Sequence, residues 1–508
     1  LSPRSPSDSS PGFRSPDKPF AAGAEPDAGE SAATLTRSAA ASGATTLAAR
    51  YLLVGLLNLG ATTLLVRHLG PSNWASYGVA LFLANFMDQY LGSKLLGAVI
   101  ASPAPTIALL EAGAYLMSLV ARMGLLLALI AMFPVAQLTQ LHSPVLMCAA
   151  SGICGCVYVS RALPAARLEG RLRYRLIGLG EVLDQVTFTV LAVALVLGGL
   201  GITGVMLALA IQGLPTLALW RRRMRPTPLL GSRTAAGGEI LRYALPGSGV
   251  AACVLIEGVV PMVAFSFAHA RLLGLAITSS SILSYPGVAV LVLQRISFPA
   301  FARSSDPARL GAAVDEVSRA AAAILIAAEG FAGLTCPWWL PWLFGSRWHG
   351  AWPLTASYAA CYVLLGQINV ITGALVACGR PRAALRTWLS MTLPWVLGAT
   401  LWMGFCSPVW LVCVLIGARL IGFCTGLSEL RRARLTTSLR AVFLRCALAA
   451  GAIVGGAAAV SAGHTGLMFA ALALLALIEL AALWSARSGL SLLVAVLRQR
   501  GPVELAHQ

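Results

Sequence analysis

The sequence predicts an all-α polytopic membrane protein: two pseudo-symmetric six-helix lobes in parallel repeat around a central cavity, plus an extra C-terminal helix pair. Three observations lead there. Of 508 residues, 58% are hydrophobic and only 11% charged, less than half the share of about 25% in a soluble globular chain. The cations, all arginine except Lys18 and Lys94, sit in short blocks between apolar runs, as the cytoplasmic loops of a multispanning protein do. Short motifs also recur in corresponding loops of the two halves. The net charge of +18 would suit nucleic acid only if the cations clustered on a soluble face, so no nucleic-acid partner is expected.

The elements follow in order. Residues 1–36 are rich in Ser, Pro and Gly without apolar periodicity, which predicts a disordered tail. No apolar core follows a basic start, so this tail does not read as a signal peptide. A spanning helix needs about 20 mostly apolar residues, and fourteen stretches meet that rule. Six of them, at 43–66, 74–98, 114–134, 144–164, 176–198 and 200–220, form an N-lobe over 37–225. A cytoplasmic linker, 226–242, leads to a C-lobe over 243–430 with spans at 243–266, 273–296, 317–341, 352–376, 384–405 and 407–428. The extra pair, 431–487, holds spans 440–461 and 464–486, and 488–508 is a cytoplasmic tail.

With the N-terminus inside, the cytoplasmic connections carry Arg161–Arg175, Arg221–Arg242, Arg295–Arg319, Arg380–Arg386 and Arg431–Arg445. The opposite side has Arg67, Arg271 and Arg347. This asymmetry satisfies the positive-inside rule and places both termini in the cytoplasm. Trp338, Trp339, Trp342, Trp348 and Trp352 flank one short outer loop as an interfacial belt. His68, His142, His269, His349 and His464 fall at outer helix ends and read as interfacial polar residues. Most cysteines lie inside apolar segments, and Cys154-Gly-Cys156 lacks the spacing of a zinc site, so they read as small hydrophobes.

The repeat rests on two pairs of loops. Arg67-His-Leu-Gly70 follows the first span and Arg271-Leu-Leu-Gly274 the seventh, an offset of 204 from 67 to 271. Gly170-Arg-Leu-Arg173 follows the fourth and Gly379-Arg-Pro-Arg382 the tenth, an offset of 209 from 170 to 379. Six spans per unit is even, so the two units share one orientation, the parallel arrangement of many transporters.

The sequence holds no GxxxxGK[ST] loop and no HExxH, and the expected outer loops are short. Transport without cofactor or metal is therefore expected, not catalysis. Polar groups inside the spans become the informative residues, because each is costly unless it faces protein or a wet cavity. Asp88, Glu257, Glu329 and Arg419 lie near the middle of their spans, with Gln367 and Asn369 at similar depth on the tenth. Arg122 lies about 12 Å in from residue 114 by helical rise, and Lys94 and Arg161 lie nearer the cytoplasmic end. Glu181 and Asp184, three apart, share a helix face. Blander readings stand beside these: Lys94 and Arg161 as snorkelling residues, Arg419 with Glu329 as a helix-locking pair, and Glu479 as structural.

The chain resembles the polysaccharide-exporter, or Wzx-type, flippases of the multidrug/oligosaccharidyl-lipid/polysaccharide superfamily. The resemblance is carried by Leu65-Val-Arg-His-Leu-Gly-Pro-Ser-Asn-Trp-Ala-Ser-Tyr-Gly-Val-Ala80, Leu168-Glu-Gly-Arg-Leu-Arg-Tyr-Arg175 and Ile296-Ser-Phe-Pro-Ala-Phe-Ala302. It continues with Leu343-Phe-Gly-Ser-Arg-Trp-His-Gly-Ala-Trp352 and Ala377-Cys-Gly-Arg-Pro-Arg382, in order over residues 38–430. It implies alternating-access flipping of undecaprenyl-diphosphate-linked oligosaccharide to the outer leaflet of a bacterial inner membrane, for cell-surface polysaccharide. It also implies a monomer among membrane lipids, working beside a polysaccharide polymerase and glycosyltransferases. On this reading Arg122, Arg419, Lys94 and Arg161 are cavity cations for the diphosphate, since arginine is well shaped for phosphate. Asp88, Glu257 and Glu329 are the ion-coupling candidates. The alternative is an ion-coupled multidrug/cation antiporter of the same fold; such proteins place an acidic residue in span one, where this chain has Asn58 as the deepest polar group. A membrane-bound transferase would need Glu181 and Asp184 as an acid/base pair.

Overall fold

A computed structural model describes residues 29–87, 106–138, 143–170, 173–223, 252–259, 270–303, 306–405, 408–435 and 437–498, with isolated positions at 96, 99, 141, 237, 238, 240, 249 and 250. The helices are α1 (Gly29–Phe86), α2 (Ile107–Leu138), α3 (Pro144–Gly170), α4 (Tyr174–Leu195), α5 (Gly201–Ile211), α6 (Leu214–Arg223) and α7 (Ala270–Arg303). They continue with α8 (Pro307–Phe344), α9 (Trp352–Ala377), α10 (Pro381–Phe405), α11 (Pro408–Arg432), α12 (Leu439–Ser461) and α13 (Thr465–Arg498). Among the described residues there is no strand.

Each of the fourteen expected spans contains helical residues, and nine stretches among the described residues are long and apolar enough to cross a membrane. Two of the nine, Leu53–Phe86 and Arg175–Arg222, take in adjoining expected spans. Their joints are sharp. Gly70 (φ 74°, ψ 168°) breaks the helical path of α1, and Pro71 restarts it; a left-handed φ suits glycine, and proline fits the first turn of a helix because that turn needs no N–H partner. Between α4 and α5 the path breaks at Gly199 and Gly201.

The tails begin and end elsewhere than the composition suggests. Helix α1 starts at Gly29, inside the stretch 1–36 assigned to disorder, because the run after Pro26 is rich in alanine, the strongest helix former. Helix α13 runs to Arg498, inside the expected tail 488–508. The expected linker 226–242 lies almost wholly outside the described residues.

Helix α1 packs on α3, α4 and α7, and α2 packs on α3. In the second half α8, α9, α12 and α13 pack around one another, with α11 against both α9 and α10. One apolar core runs through both halves, and a smaller one lies between α2 and α3. The seam between the halves is α1 on α7. A methyl group on Gly274 would come within 1.9 Å of the Pro71 carbonyl oxygen, so the two copies of the Arg-x-Leu-Gly motif meet where only a bare backbone fits. The second pair of loops holds the same kind of closure, two residues apart in register. The Arg173 amide donates to the Leu168 carbonyl and the Arg380 amide to the Leu375 carbonyl, both at 2.9 Å. Both are the five-residue-back closure of a Schellman helix end.

The loops expected outside gather at one end. Arg67 donates through Nε to the Leu343 carbonyl at 2.6 Å and through Nη2 to that of Trp342 at 2.7 Å. Nearby, Arg271 reaches the Arg347 carbonyl at 3.4 Å. Trp338 and Trp342 are exposed, at 52% and 75%, as a belt requires, but Trp348 is 1% exposed, 6.0 Å from the Phe344 ring. It is a core residue, not part of the belt.

Candidate functional site

In the first half the buried charges form interlocked pairs. Glu181 and Asp184 sit one helical turn apart on α4, and each meets an arginine from a different helix: Arg50 of α1 pairs with Glu181, and Arg161 of α3 with Asp184. The Arg161 guanidinium also lies 3.9 Å from the centroid of the Tyr158 ring. Arg161 and Asp184 side chains are 12% and 6% exposed. Arg161 therefore does not snorkel to an interface; its carboxylate partner and the ring hold it inward. Arg50, the one charged residue within span one, packs its methylene stem along Gly178 and completes this network. The only sequence signal for it is the facing pair Glu181 and Asp184.

The second half carries a three-helix counterpart. Glu257, on the helical residues 252–259, receives Arg419 Nη2 from α11 at 2.8 Å on Oε2. It receives the Thr392 hydroxyl from α10 at 2.8 Å on Oε1. The Trp395 indole N–H donates to the Glu257 carbonyl at 3.0 Å, and Arg419 Nη1 lies 3.1 Å from the Met391 sulfur. The pair is nearly buried, Arg419 at 12% and Glu257 at 9%. The locking partner of Arg419 is thus Glu257, not Glu329: depth along a helix sets the height of a charge, while packing decides which neighbour it meets.

Glu329 is wholly buried on α8, and neither carboxylate oxygen has a hydrogen-bond partner among the described residues. The helix around it is enclosed: Gly330 faces Leu475 of α13, and Gly333 faces Ala359 of α9 and Ile453 of α12. Glu479 on α13 likewise has no partner for either oxygen among the described residues. Gln367 is structural. Its amide donates to the Ser318 carbonyl at 3.3 Å and accepts from the Ala322 amide at 3.1 Å, tying α9 to α8.

Arg122 is exposed on α2, next to exposed Met123 and one turn from Leu125 and Leu126. Among the described residues it has no ion-pair partner. Asp88 and Lys94 lie outside the described residues. A polar cluster that sequence reading missed lies between the halves: Tyr285 of α7 faces Thr62 and Asn58 of α1. Among the described residues no three of His, Cys, Asp and Glu come together as a metal-holding group. The described cysteines are free thiols, many of them buried in the core.

No protein-family description and no curated protein matches the sequence. Solved structures do match. The lipid II flippase MurJ, in an inward closed conformation, aligns at 11% identity and a TM-score of 0.64, covering 86% of this chain and 97% of its own. An inward-facing multidrug-resistance MATE transporter aligns at 18% identity and a TM-score of 0.58, over 78% of this chain and 100% of its own. A MOP-superfamily transporter from Pyrococcus furiosus aligns at 18% identity and a TM-score of 0.51, over 78% and 97%. The chain therefore has the all-α membrane fold shared by the MurJ flippase and the MATE transporters of the MOP superfamily.

Proposed function

We propose that this protein flips a lipid-linked oligosaccharide, of the undecaprenyl-diphosphate type, to the outer leaflet of a bacterial inner membrane by rocking two lobes. The carrying observation is that the lipid flippase covers 86% of this chain and the multidrug transporter 78%. That difference, 8% of the chain, is shorter than the pair α12 and α13 but of the same order, and these are the helices that stand beyond the two expected lobes.

The chemistry of span one favours the same reading over the antiporter. Its one charged residue is Arg50, already paired with Glu181, and its deepest polar groups, Asn58 and Thr62, face Tyr285. No carboxylate stands there to carry a cation. Arg122, exposed on α2, is the cation assigned to the diphosphate in this reading, with Lys94 as a further candidate. Arg161 and Arg419 reach substrate only when Asp184 and Glu257 release them. Glu329 is the leading coupling carboxyl, because a charge without a partner in a buried site costs several kcal/mol, and a protonated carboxyl costs much less. Asp88 and Glu257 are the other two.

Purified protein in proteoliposomes tests the reading. Fluorescent lipid-linked oligosaccharide should exchange between leaflets, and Glu329→Gln should abolish the response to an imposed proton gradient. Efflux of a cationic dye without oligosaccharide flipping would assign the antiporter instead.

A further inference from the structure

A second polar site lies far along the chain from these residues, where the end of α11 turns into α12 above the first turns of α8. It is an open cleft of about 680 Å³ lined by Asp315, Arg431, Arg434, Leu435, Thr437 and Ser438. We propose that this cleft binds the phosphate of an anionic phospholipid headgroup and fastens the α12–α13 pair to the second half.

The backbone at Arg434 carries the argument. Besides the end of α3, three helices among the described residues end with an amide donating five residues back: Arg380 to Leu375 after α9, Leu435 to Leu430 after α11, and His464 to Ala459 after α12. Such an end needs one residue in the left-handed region, where glycine is the ordinary occupant. Gly379 (φ 73°) and Gly463 (φ 77°) fill it at two of the three ends, but Arg434 (φ 60°) fills the other. A side chain is thus held in a conformation that side chains disfavour, and its guanidinium lines the cleft. Its neighbours sort by availability. Arg432 is engaged with Glu429 at 2.7 Å, whereas Arg431 and Arg434 line the cleft and have no ion-pair partner among the described residues.

The one acid in the lining is occupied at one oxygen, and its other oxygen has no hydrogen-bond partner among the described residues. Asp315 Oδ2 accepts from both the Ser438 amide at 2.7 Å and the Ser438 hydroxyl at 2.8 Å, and its Oδ1 is buried. Arg431, Arg434 and Thr437 then line one open cleft, and their guanidinium and hydroxyl groups are a donor set matched to phosphate oxygens. The cleft sits among the arginine-rich connections that the charge asymmetry assigns to the cytoplasmic face, the depth at which lipid phosphates lie.

The full chain purified in detergent is titrated with phosphatidylglycerol, phosphatidylcholine or inorganic phosphate, and bound lipid is followed by native mass spectrometry and thermal unfolding. Phosphatidylglycerol should bind and raise the unfolding temperature, and each arginine removed should weaken it about fivefold. Arg431→Gln with Arg434→Gln tests this directly. Arg434→Gly guards against a folding artefact: it relieves the left-handed side chain, so it should unfold no earlier than wild type yet bind phosphatidylglycerol more weakly. Equal binding of phosphatidylcholine, or undiminished phosphatidylglycerol binding by the double variant, overturns the proposal. Full reproduction of the effect by inorganic phosphate overturns the lipid as its source.

Discussion

Replacing Arg419 by methionine should destabilise the protein severely, and the structure sets the size of the effect. The Glu257 side chain is 9% exposed, and Arg419 Nη2 stands 2.8 Å from its Oε2. Without the guanidinium that oxygen loses its charged donor, and only the Thr392 hydroxyl on Oε1 still serves the carboxylate. Breaking one side of a buried ion pair costs about 3–5 kcal/mol, because it strands the other charge. Arg419→Met should therefore lower the unfolding free energy by about 3–5 kcal/mol. Removing both charges, as Glu257→Leu with Arg419→Met, should bring stability back to within about 1 kcal/mol of wild type, since well-packed apolar pairs often match a buried ion pair. Denaturant unfolding of the four proteins in micelles closes the double-mutant cycle, with a coupling of about 2 kcal/mol or more. An Arg419→Met protein that unfolds at the wild-type midpoint would refute the pairing. Flipping by the stable double variant then separates two roles: wild-type activity makes the pair a helix lock, and lost activity gives the arginine a part in transport.

Three further outcomes are expected. Arg122→Ala should lose most lipid-linked oligosaccharide flipping in proteoliposomes while remaining in the membrane, and Arg122→Lys should keep part of it; full activity of the alanine variant would sink its substrate role. Cysteines placed at Gly350 and at Arg222 should label from opposite faces, Gly350 from outside and Arg222 from the cytoplasm, and labelling of Gly350→Cys only from the cytoplasm would invert the topology. Gly274→Ala should cost about 1–3 kcal/mol through overpacking against Pro71, whereas Gly417→Ala, in a helix with nothing within 4 Å of the added carbon, should be neutral or stabilising by up to about 1 kcal/mol; thermal unfolding of the two variants, read side by side, checks the close contact.

The membrane class and the helices were legible in the sequence because apolar length is a local property. Gly70-Pro71 was legible too, as a break after span one. What the sequence withheld was partnership. Arg419 and Glu257 are separated by 162 positions, and no local pattern ranks Glu257 above Glu329 as the partner. Arg161 looked free to reach the interface, and only the packing of α3 on α4 turns it to Asp184. Trp348 shared the composition of a belt but is drawn into the core beside Phe344. Arg434 offered no signal at all, since a left-handed arginine is invisible until the chain is traced.

The described ion pairs have a mechanical meaning in where they do not run. Arg50–Glu181 and Arg161–Asp184 stay within the first half, and Glu257–Arg419 and Arg386–Glu429 within the second. Between the halves, Gly274 rests on the Pro71 carbonyl, while Arg67 crosses the seam by two hydrogen bonds to the loop after α8. Each of these charges has its partner on its own side of the seam, so a tilt of the halves would by itself break none of these pairs, and the release of Arg161 or Arg419 proposed above is a separate step. The two Arg67 bonds lie at one rim of the seam, while the rest of it is a shared apolar core with Tyr285 facing Thr62 and Asn58.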